Sequence, residues 1–170
     1  MKNIEINELN INVYETFAKK WALISAGNEE SYNTMTISWG HLGSIWGHGG
    51  GLPTSVVYVR PQRYTKKFVD SNDYYSICVF DEEYRQDLAY LGSHSGKDED
   101  KVAKTKLHPV FDKKAVYFKE ASLVLICRKL YAQDIKEENF VDKDVMNEVY
   151  PSKDFHTLYI GEIEEILAKD

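Results

Sequence analysis

The sequence contains only two cysteines, Cys78 and Cys127, and each lies inside an apolar run. Without a C-x-x-C pair, these thiols fit small buried hydrophobes better than a disulfide or a redox pair. No apolar run approaches the roughly 20 residues of a membrane span, and residues 1–12 are too polar for a secretory signal. These absences predict a cytoplasmic protein with no membrane partner.

Positive charge is also scarce, because the 21 lysines and arginines are outnumbered by 27 aspartates and glutamates, which gives a formal net charge of −6. Binding to nucleic acid or to an anionic lipid surface depends on an excess of positive charge. No nucleic-acid partner is therefore expected, and an anionic ligand would require a local basic pocket.

Several familiar catalytic motifs are missing. The sequence has no Walker A loop, no G-x-S-x-G elbow and no H-E-x-x-H helix, which argues against nucleotide triphosphatases and the common hydrolases. Residues 47–52 (GHGGGL) break the G-x-G-x-x-G pattern at its last position and lie in no β-α-β unit, so a Rossmann site is not expected. The five histidines have no carboxylate or cysteine partners at ligand spacing, so no metal site is expected.

What the sequence does contain is a set of short β-rich runs separated by turn signals. The predicted strands span residues 21–26, 32–39, 54–59, 74–80, 122–131 and 156–163, and an acidic tail follows the last. Short helices are predicted after an Asn12 cap, over residues 64–69 and around Leu88. Residues 40–51 carry six glycines in twelve positions, which predicts a loop or a bulged crossing rather than the interior of a regular strand.

These elements predict one domain that spans residues 1–170, since the chain is about as long as a single globular domain. The predicted fold class is mainly β, an antiparallel barrel or sandwich with short helices.

Residues 31–40 (SYNTMTISWG) combine hydroxyl and amide groups with Met and Trp in one predicted strand. Flavin recognition requires this mixture, because the isoalloxazine ring has a flat apolar body and an edge of alternating donors and acceptors. An amphipathic strand with its polar face in water would have the same composition. This segment alone does not separate the two interpretations.

Residues 60–65 (RPQRYT) place two arginines and a threonine hydroxyl where a strand ends and a helix begins. Arginine offers a planar fork to phosphate oxygens, and the start of a helix offers free N–H groups. The alternative is a pair of surface arginines beside a capping turn.

Residues 95–101 (SGKDEDK) could add a hydroxyl, a close backbone approach at glycine and a lysine to the same anion. They also resemble an exposed loop before a helix, with Asp98 as the N-cap. His156 begins the last predicted strand, where it could position a substrate or a proton near a redox ring. A packed strand histidine is the alternative.

Together these stretches resemble the flavin reductase-like family of FMN-binding split barrels. The similarity runs from about residue 21 to residue 163 and rests on the order and spacing of four segments. They are residues 32–39 (YNTMTISW), 59–65 (VRPQRYT), 93–98 (SHSGKD) with Lys101, and 156–162 (HTLYIGE).

The resemblance implies a six-stranded antiparallel split barrel that forms a homodimer, with FMN in a groove near the subunit interface. It also implies which residues contact the cofactor. Those expected to face the isoalloxazine and ribityl parts are Asn33, Met35, Thr36, Ser38 and Trp39, with His156 near the ring. Those expected to gather around the phosphate are Arg60, Arg63, Tyr64, Thr65, Ser95, Gly96 and Lys101.

The activity that the resemblance implies is NAD(P)H-dependent reduction of FMN, or of an acceptor through FMN, with nicotinamide stacked on the exposed flavin face. The glycine-rich segment 40–51 would line that face. Two alternatives stay open: an electron carrier that holds FMN tightly and serves a redox protein partner, and a flavin-binding module without catalysis.

Overall fold

The computed structural model describes residues 1–112 and 114–169. Its ten strands within those residues are β1 (Lys2–Asn3), β2 (Ala22–Gly27), β3 (Tyr32–Ile37), β4 (Gly40–Ile45), β5 (Leu52–Val59), β6 (Tyr74–Val79), β7 (Pro109–Phe111), β8 (Val116–Phe118), β9 (Leu123–Asp134) and β10 (Thr157–Ala168). The α-helices are α1 (Val13–Glu15), which continues as a π-helix over Thr16–Lys20, α2 (Thr65–Ser71), α3 (Arg85–Ser93) and α4 (Lys143–Val149). Short 3₁₀ turns occupy Ile6–Glu8, Glu82–Tyr84, Val102–Lys104 and Glu137–Asn139.

The main sheet is antiparallel throughout and follows the order β3-β2-β6-β9-β10-β5-β4, with β1 paired to β10. The strands β7 and β8 form a separate hairpin. The predicted mainly β class with short helices is confirmed. The sheet has eight strands rather than six, because β1 and β4 add to its margins.

Most predicted elements lie where their sequence patterns placed them. The hairpin of β2 and β3 pairs Ala22 with Ile37 and Gly27 with Tyr32. The Asn12 side chain caps α1, since its Oδ1 accepts a hydrogen bond from the Glu15 amide at 3.0 Å. Within residues 1–112 and 114–169, none of the helices is long and apolar enough to cross a membrane.

The glycine-rich segment differs from its prediction, because its first half is the edge strand β4. An edge strand pairs on one side only and tolerates residues that a central strand does not. Gly40 is needed there because a Cβ at this position would lie 2.5 Å from the buried Phe17 ring. The second half is the predicted loop, in which Trp46 and four of the glycines have positive φ angles.

The last strand is longer than predicted and includes the acidic tail. Ion pairs explain why these carboxylates remain in a strand: Arg128 bonds Glu162 and Glu164, and Lys114 bonds Glu164 and Glu165. Because each carboxylate has a cationic neighbour, the mutual repulsion that would favour a solvated tail is offset.

Apolar side chains fill both sides of the central strands. One cluster contains Ile24, Tyr75 and Tyr159, and the other contains Leu23, Val124 and Ile126. Cys78 and Cys127 are fully buried in these clusters as predicted, and burial raises the pKa of each thiol to about 12. Neither thiol is therefore ionised near neutral pH.

We expect Gly40→Ala to lower the free energy of unfolding by about 1–3 kcal/mol, because the new methyl group would force the Phe17 ring out of its packed position. Denaturant unfolding measures the change. Gly43→Ala is the matched control on the same strand, since a Cβ there meets nothing within 4 Å. Equal effects of the two substitutions would contradict this account of β4.

Candidate functional site

A small cleft of about 80 Å³ lies beside β3, where the turn before α2 meets the loop after α3. It brings together eight of the residues singled out from the sequence: Asn33, Met35, Arg63, Tyr64, Thr65, Ser95, Gly96 and Lys101. Gln62, Ser93 and His94 also line it. Sequence reasoning did not assign these three, although all of them lie within the segments 60–65 and 93–98 that carry assigned residues.

A hydrogen bond between β3 and α2 forms one wall of the cleft. The Asn33 amide donates from Nδ2 to Oγ1 of Thr65 at 2.9 Å, and Thr65 is fully buried. The loop after α3 then packs directly on Asn33. A Cβ at position 96 would lie 2.2 Å from Asn33 Oδ1, so only glycine permits this approach.

Two cations also line the cleft. Lys101 is 3% exposed, and its ammonium donates to the backbone carbonyls of Leu91 at 2.7 Å and His94 at 3.0 Å. Arg63 donates from Nη2 to the Gly92 carbonyl at 2.6 Å. Among the described residues, neither cation forms an ion pair with a carboxylate.

Burial of these cations perturbs their proton affinity. The pKa of Lys101 falls to about 8, first because burial disfavours its charge and second because Arg63 is close; Glu99 opposes the shift. Burial also lowers the pKa of Arg63. An anion in the cleft would neutralise this uncompensated charge.

The loop after α3 is exposed at Lys97, Asp98 and Asp100, as the predicted alternative has it, but it differs in the cap. No helix begins at Asp98. Asp100 instead accepts a hydrogen bond from the Ala103 amide at 3.2 Å, at the start of the 3₁₀ turn Val102–Lys104. The need to bury Lys101 against carbonyls at the end of α3 accounts for the compact path of this loop.

Arg60 lies apart from the other predicted phosphate ligands. Its guanidinium forms an ion pair with Asp154 and donates to the Val149 carbonyl at 3.2 Å. Gln62 also donates to Asp154, at 2.8 Å. These bonds hold Arg60 against the segment before β10. Arg63 is the arginine of this turn that lines the cleft.

Two of the residues expected near the ring, Thr36 and Ser38, are not part of the lining of the cleft. Thr36 donates from its hydroxyl to the Leu88 carbonyl at 2.5 Å, which ties α3 to β3. Ser38 is exposed just after β3.

Trp39 and His156 do lie together. Their ring centroids are 4.7 Å apart, and the Trp39 side chain is 42% exposed. The Nδ1 atom of His156 lies 2.8 Å from the Tyr150 hydroxyl. Burial and the nearby Arg60 lower the pKa of His156 to about 4, so the imidazole is neutral near pH 7.

The donor set suits a phosphate group. Two cations, the Thr65 and Ser95 hydroxyls and the Asn33 amide surround a volume of phosphate size, and Met35 supplies an apolar floor toward the rest of β3. These groups are fixed by hydrogen bonds or burial before any ligand enters, so little ordering remains to oppose binding.

The sequence matches the family model described as "Flavin reductase like domain" over residues 14–170. The fold is similar to the structure of flavoredoxin from Methanosarcina acetivorans, with a TM-score of 0.66, 20% identity and coverage of 100% of this chain and 77% of that one. It is also similar to an FMN-binding protein from Thermus thermophilus, with a TM-score of 0.67, 16% identity and coverage of 100% and 83%.

A third similar structure is the NADH:FAD oxidoreductase of Streptomyces globisporus, with a TM-score of 0.65, 13% identity and coverage of 88% of this chain and 75% of that one. No protein of curated function matches the sequence significantly.

The lowered pKa of Lys101 predicts how stability depends on pH. The unfolded chain binds a proton at this lysine up to about pH 10.5, whereas the folded chain releases it near pH 8. The unfolded state therefore holds more protons at this lysine between these values, so the contribution of Lys101 to stability should rise with pH across that window, against the opposite contribution of the two buried thiols. Denaturant unfolding in phosphate-free buffer at pH 7.5 and 9.5 measures the change.

Lys101→Met removes the titrating group and should lose this gain relative to the wild type. Lys104→Met, at an exposed position nearby, is the control and should keep it. An identical pH dependence in the wild type and in Lys101→Met would refute the assignment to Lys101.

Proposed function

The chain belongs to the flavin reductase-like domain family, and from this premise we propose that it is an FMN-dependent oxidoreductase whose electron donor is NAD(P)H. The observation that carries the proposal is the pair of cations, Arg63 and Lys101, which lie in a cleft of phosphate size and form no ion pair with any carboxylate in residues 1–112 and 114–169. FMN differs from riboflavin by one such phosphate.

Three kinds of group would hold the phosphate end of FMN. Arg63 and Lys101 supply charge, Thr65 and Ser95 supply hydroxyls, and Gly96 lets the backbone approach closely. Tyr64 borders the same opening. Arg60 is left out of this set because Asp154 already neutralises it.

The ring would extend from the cleft along β3, past Met35 toward Trp39. FMN when bound supplies hydride and electron transfer, and the protein supplies position and electrostatics. The neutral imidazole of His156 beside Trp39 can make a hydrogen bond at the ring without adding charge. The exposed side of Trp39 leaves room for a nicotinamide to approach.

We also propose that the protein is a cytoplasmic homodimer. Ile45, Trp46 and Tyr131 form an exposed apolar row, with the Trp46 and Tyr131 rings 6.1 Å apart, and a second copy of the chain would cover it. The cytoplasmic location is supported by the two free buried thiols, which fit a reducing compartment. Light scattering of the flavin-loaded protein tests the dimer, and a monomer would exclude it.

An absorption spectrum of the FMN-loaded protein under anaerobic conditions tests the activity. Bleaching of the flavin bands on addition of NADH or NADPH, with saturable turnover, is the expected result. Bands that persist until dithionite is added would point instead to an electron carrier. Bands that dithionite cannot bleach reversibly would leave a binding module without redox function.

Arg63→Ala and Lys101→Ala should each weaken FMN binding more than riboflavin binding, by roughly 1–3 kcal/mol, because each removes a charge-assisted contact to phosphate. Fluorescence quenching titrations with both flavins measure the difference. Arg60→Ala is the matched control in the same turn, since its guanidinium bonds Asp154 rather than the cleft, and it should affect both flavins equally. Equal losses of the two flavins in Arg63→Ala would remove this arginine from the phosphate site.

A further inference from the structure

A buried tyrosine lies directly behind the histidine that borders Trp39. Tyr150 follows the last residue of α4 and is 5% exposed. Its ring meets the His156 ring edge-on, with the two centroids 5.6 Å apart. The Tyr150 oxygen lies 2.8 Å from Nδ1 of His156, and both residues are buried. Tyr150 therefore bonds the imidazole on the nitrogen nearer the backbone.

Arg60 holds Tyr150 in this position. Its guanidinium lies 5.3 Å from the centroid of the Tyr150 ring and donates to the Val149 carbonyl at 3.2 Å. The ion pair with Asp154 fixes the chain on the other side of Tyr150. The arginine that lies apart from the phosphate cleft thus supports the tyrosine.

The hydrogen of the bond between Tyr150 and His156 belongs to the phenol. Burial raises the pKa of the Tyr150 hydroxyl, and the His156 amide and Arg60 oppose this shift only in part, so the hydroxyl keeps its proton near pH 7. Nδ1 is the one acceptor that residues 1–112 and 114–169 offer to this proton. If Nδ1 carried a hydrogen instead, the buried phenol would have a donor without a partner, an arrangement that folded proteins avoid.

This direction determines the tautomer of His156. Burial and the charge of Arg60 lower the pKa of His156 to about 4, with Asp154 opposing the shift, so the ring is neutral near pH 7. A neutral imidazole carries one hydrogen, and because Nδ1 accepts, that hydrogen lies on Nε2. No group among the described residues bonds Nε2, which leaves its N–H free for an acceptor outside the chain.

We propose that Tyr150 is a positioning residue, which fixes His156 as an Nε2–H donor toward an acceptor atom at the edge of the isoalloxazine ring. The contact with the flavin rests on the proposed function, whereas the tautomer does not. The opposite tautomer would present a lone pair to the same acceptor atoms. A donor aimed at a ring that gains negative charge on reduction favours the reduced flavin.

Long-range ¹H–¹⁵N NMR spectra of the flavin-free protein at pH 7 test the tautomer, because a ring nitrogen that carries hydrogen resonates far from one that does not. The wild type should show the His156 hydrogen on Nε2, and His156→Gln identifies these signals among the five histidines. In Tyr150→Phe the Nδ1 signal should move to that of an unbonded nitrogen, or an Nδ1–H form should appear. Phenylalanine keeps the ring that packs against Phe155.

Tyr58→Phe is the matched control. It removes the same hydroxyl from another tyrosine beside Trp39, whose oxygen lies 3.3 Å from Nδ1 of His41. This substitution should change the signals of His41 and leave those of His156 in place. A wild-type protein with its His156 hydrogen on Nδ1 would overturn the inference, as would His156 signals that are unchanged in Tyr150→Phe.

FMN binding tests the contact with the ring. FMN added to the wild type should shift the Nε2 signal of His156. Spectroelectrochemistry should show that the preference for reduced over oxidised FMN falls about threefold in Tyr150→Phe, within the range of one neutral hydrogen bond, and is kept in Tyr58→Phe.

The outcomes separate this inference from its premise. FMN that binds without moving the Nε2 signal would overturn the contact with the ring and leave the proposed function standing. Failure of the wild type to bind FMN would overturn the proposed function and the contact together, while the flavin-free spectra would still decide the tautomer.

Discussion

The buried ammonium of Lys101 is the constraint on which the cleft depends. A helix ends with carbonyls that have no partner within the helix, and Lys101 donates to two carbonyls at this end, those of Leu91 and His94. These bonds fold the loop after α3 back onto the helix and bring Ser95 and Gly96 against β3. A single side chain thus satisfies the helix end, shapes the loop and leaves a charge facing the cleft.

The burial of Lys101 also explains how a protein with a net negative charge could bind an anion. Burial makes the charged form of Lys101 unfavourable, and the nearby charge of Arg63 makes it more unfavourable. A phosphate in the cleft would relieve both, so the proposed site would favour an anion. Outside the cleft, one rim carries mostly lysines and the other mostly carboxylates.

Periodicity and turn chemistry predicted most of the scaffold. In the hairpin from Ala22 to Ile37 and in the long apolar strands, the residues of each strand by themselves show which faces are buried. The errors have a common cause. The edge strand β4 depends on Phe17 lying close to Gly40, and the acidic half of β10 depends on Arg128 and Lys114. A residue pattern does not contain these contacts, because the partners lie far away along the chain.

By itself the sequence determined the family resemblance, the mainly β class and the segments that hold the candidate ligands. Local patterns suffice for these, because hydroxyls, arginines and glycines at a strand end are the residue types that phosphate binding uses. Only the tertiary structure distinguished the bonding of Arg60 from that of Arg63, which lie three positions apart in one turn. Arg60 bonds Asp154 and Arg63 donates to the Gly92 carbonyl beside the cleft, because the direction of a long side chain is decided by the groups that it bonds.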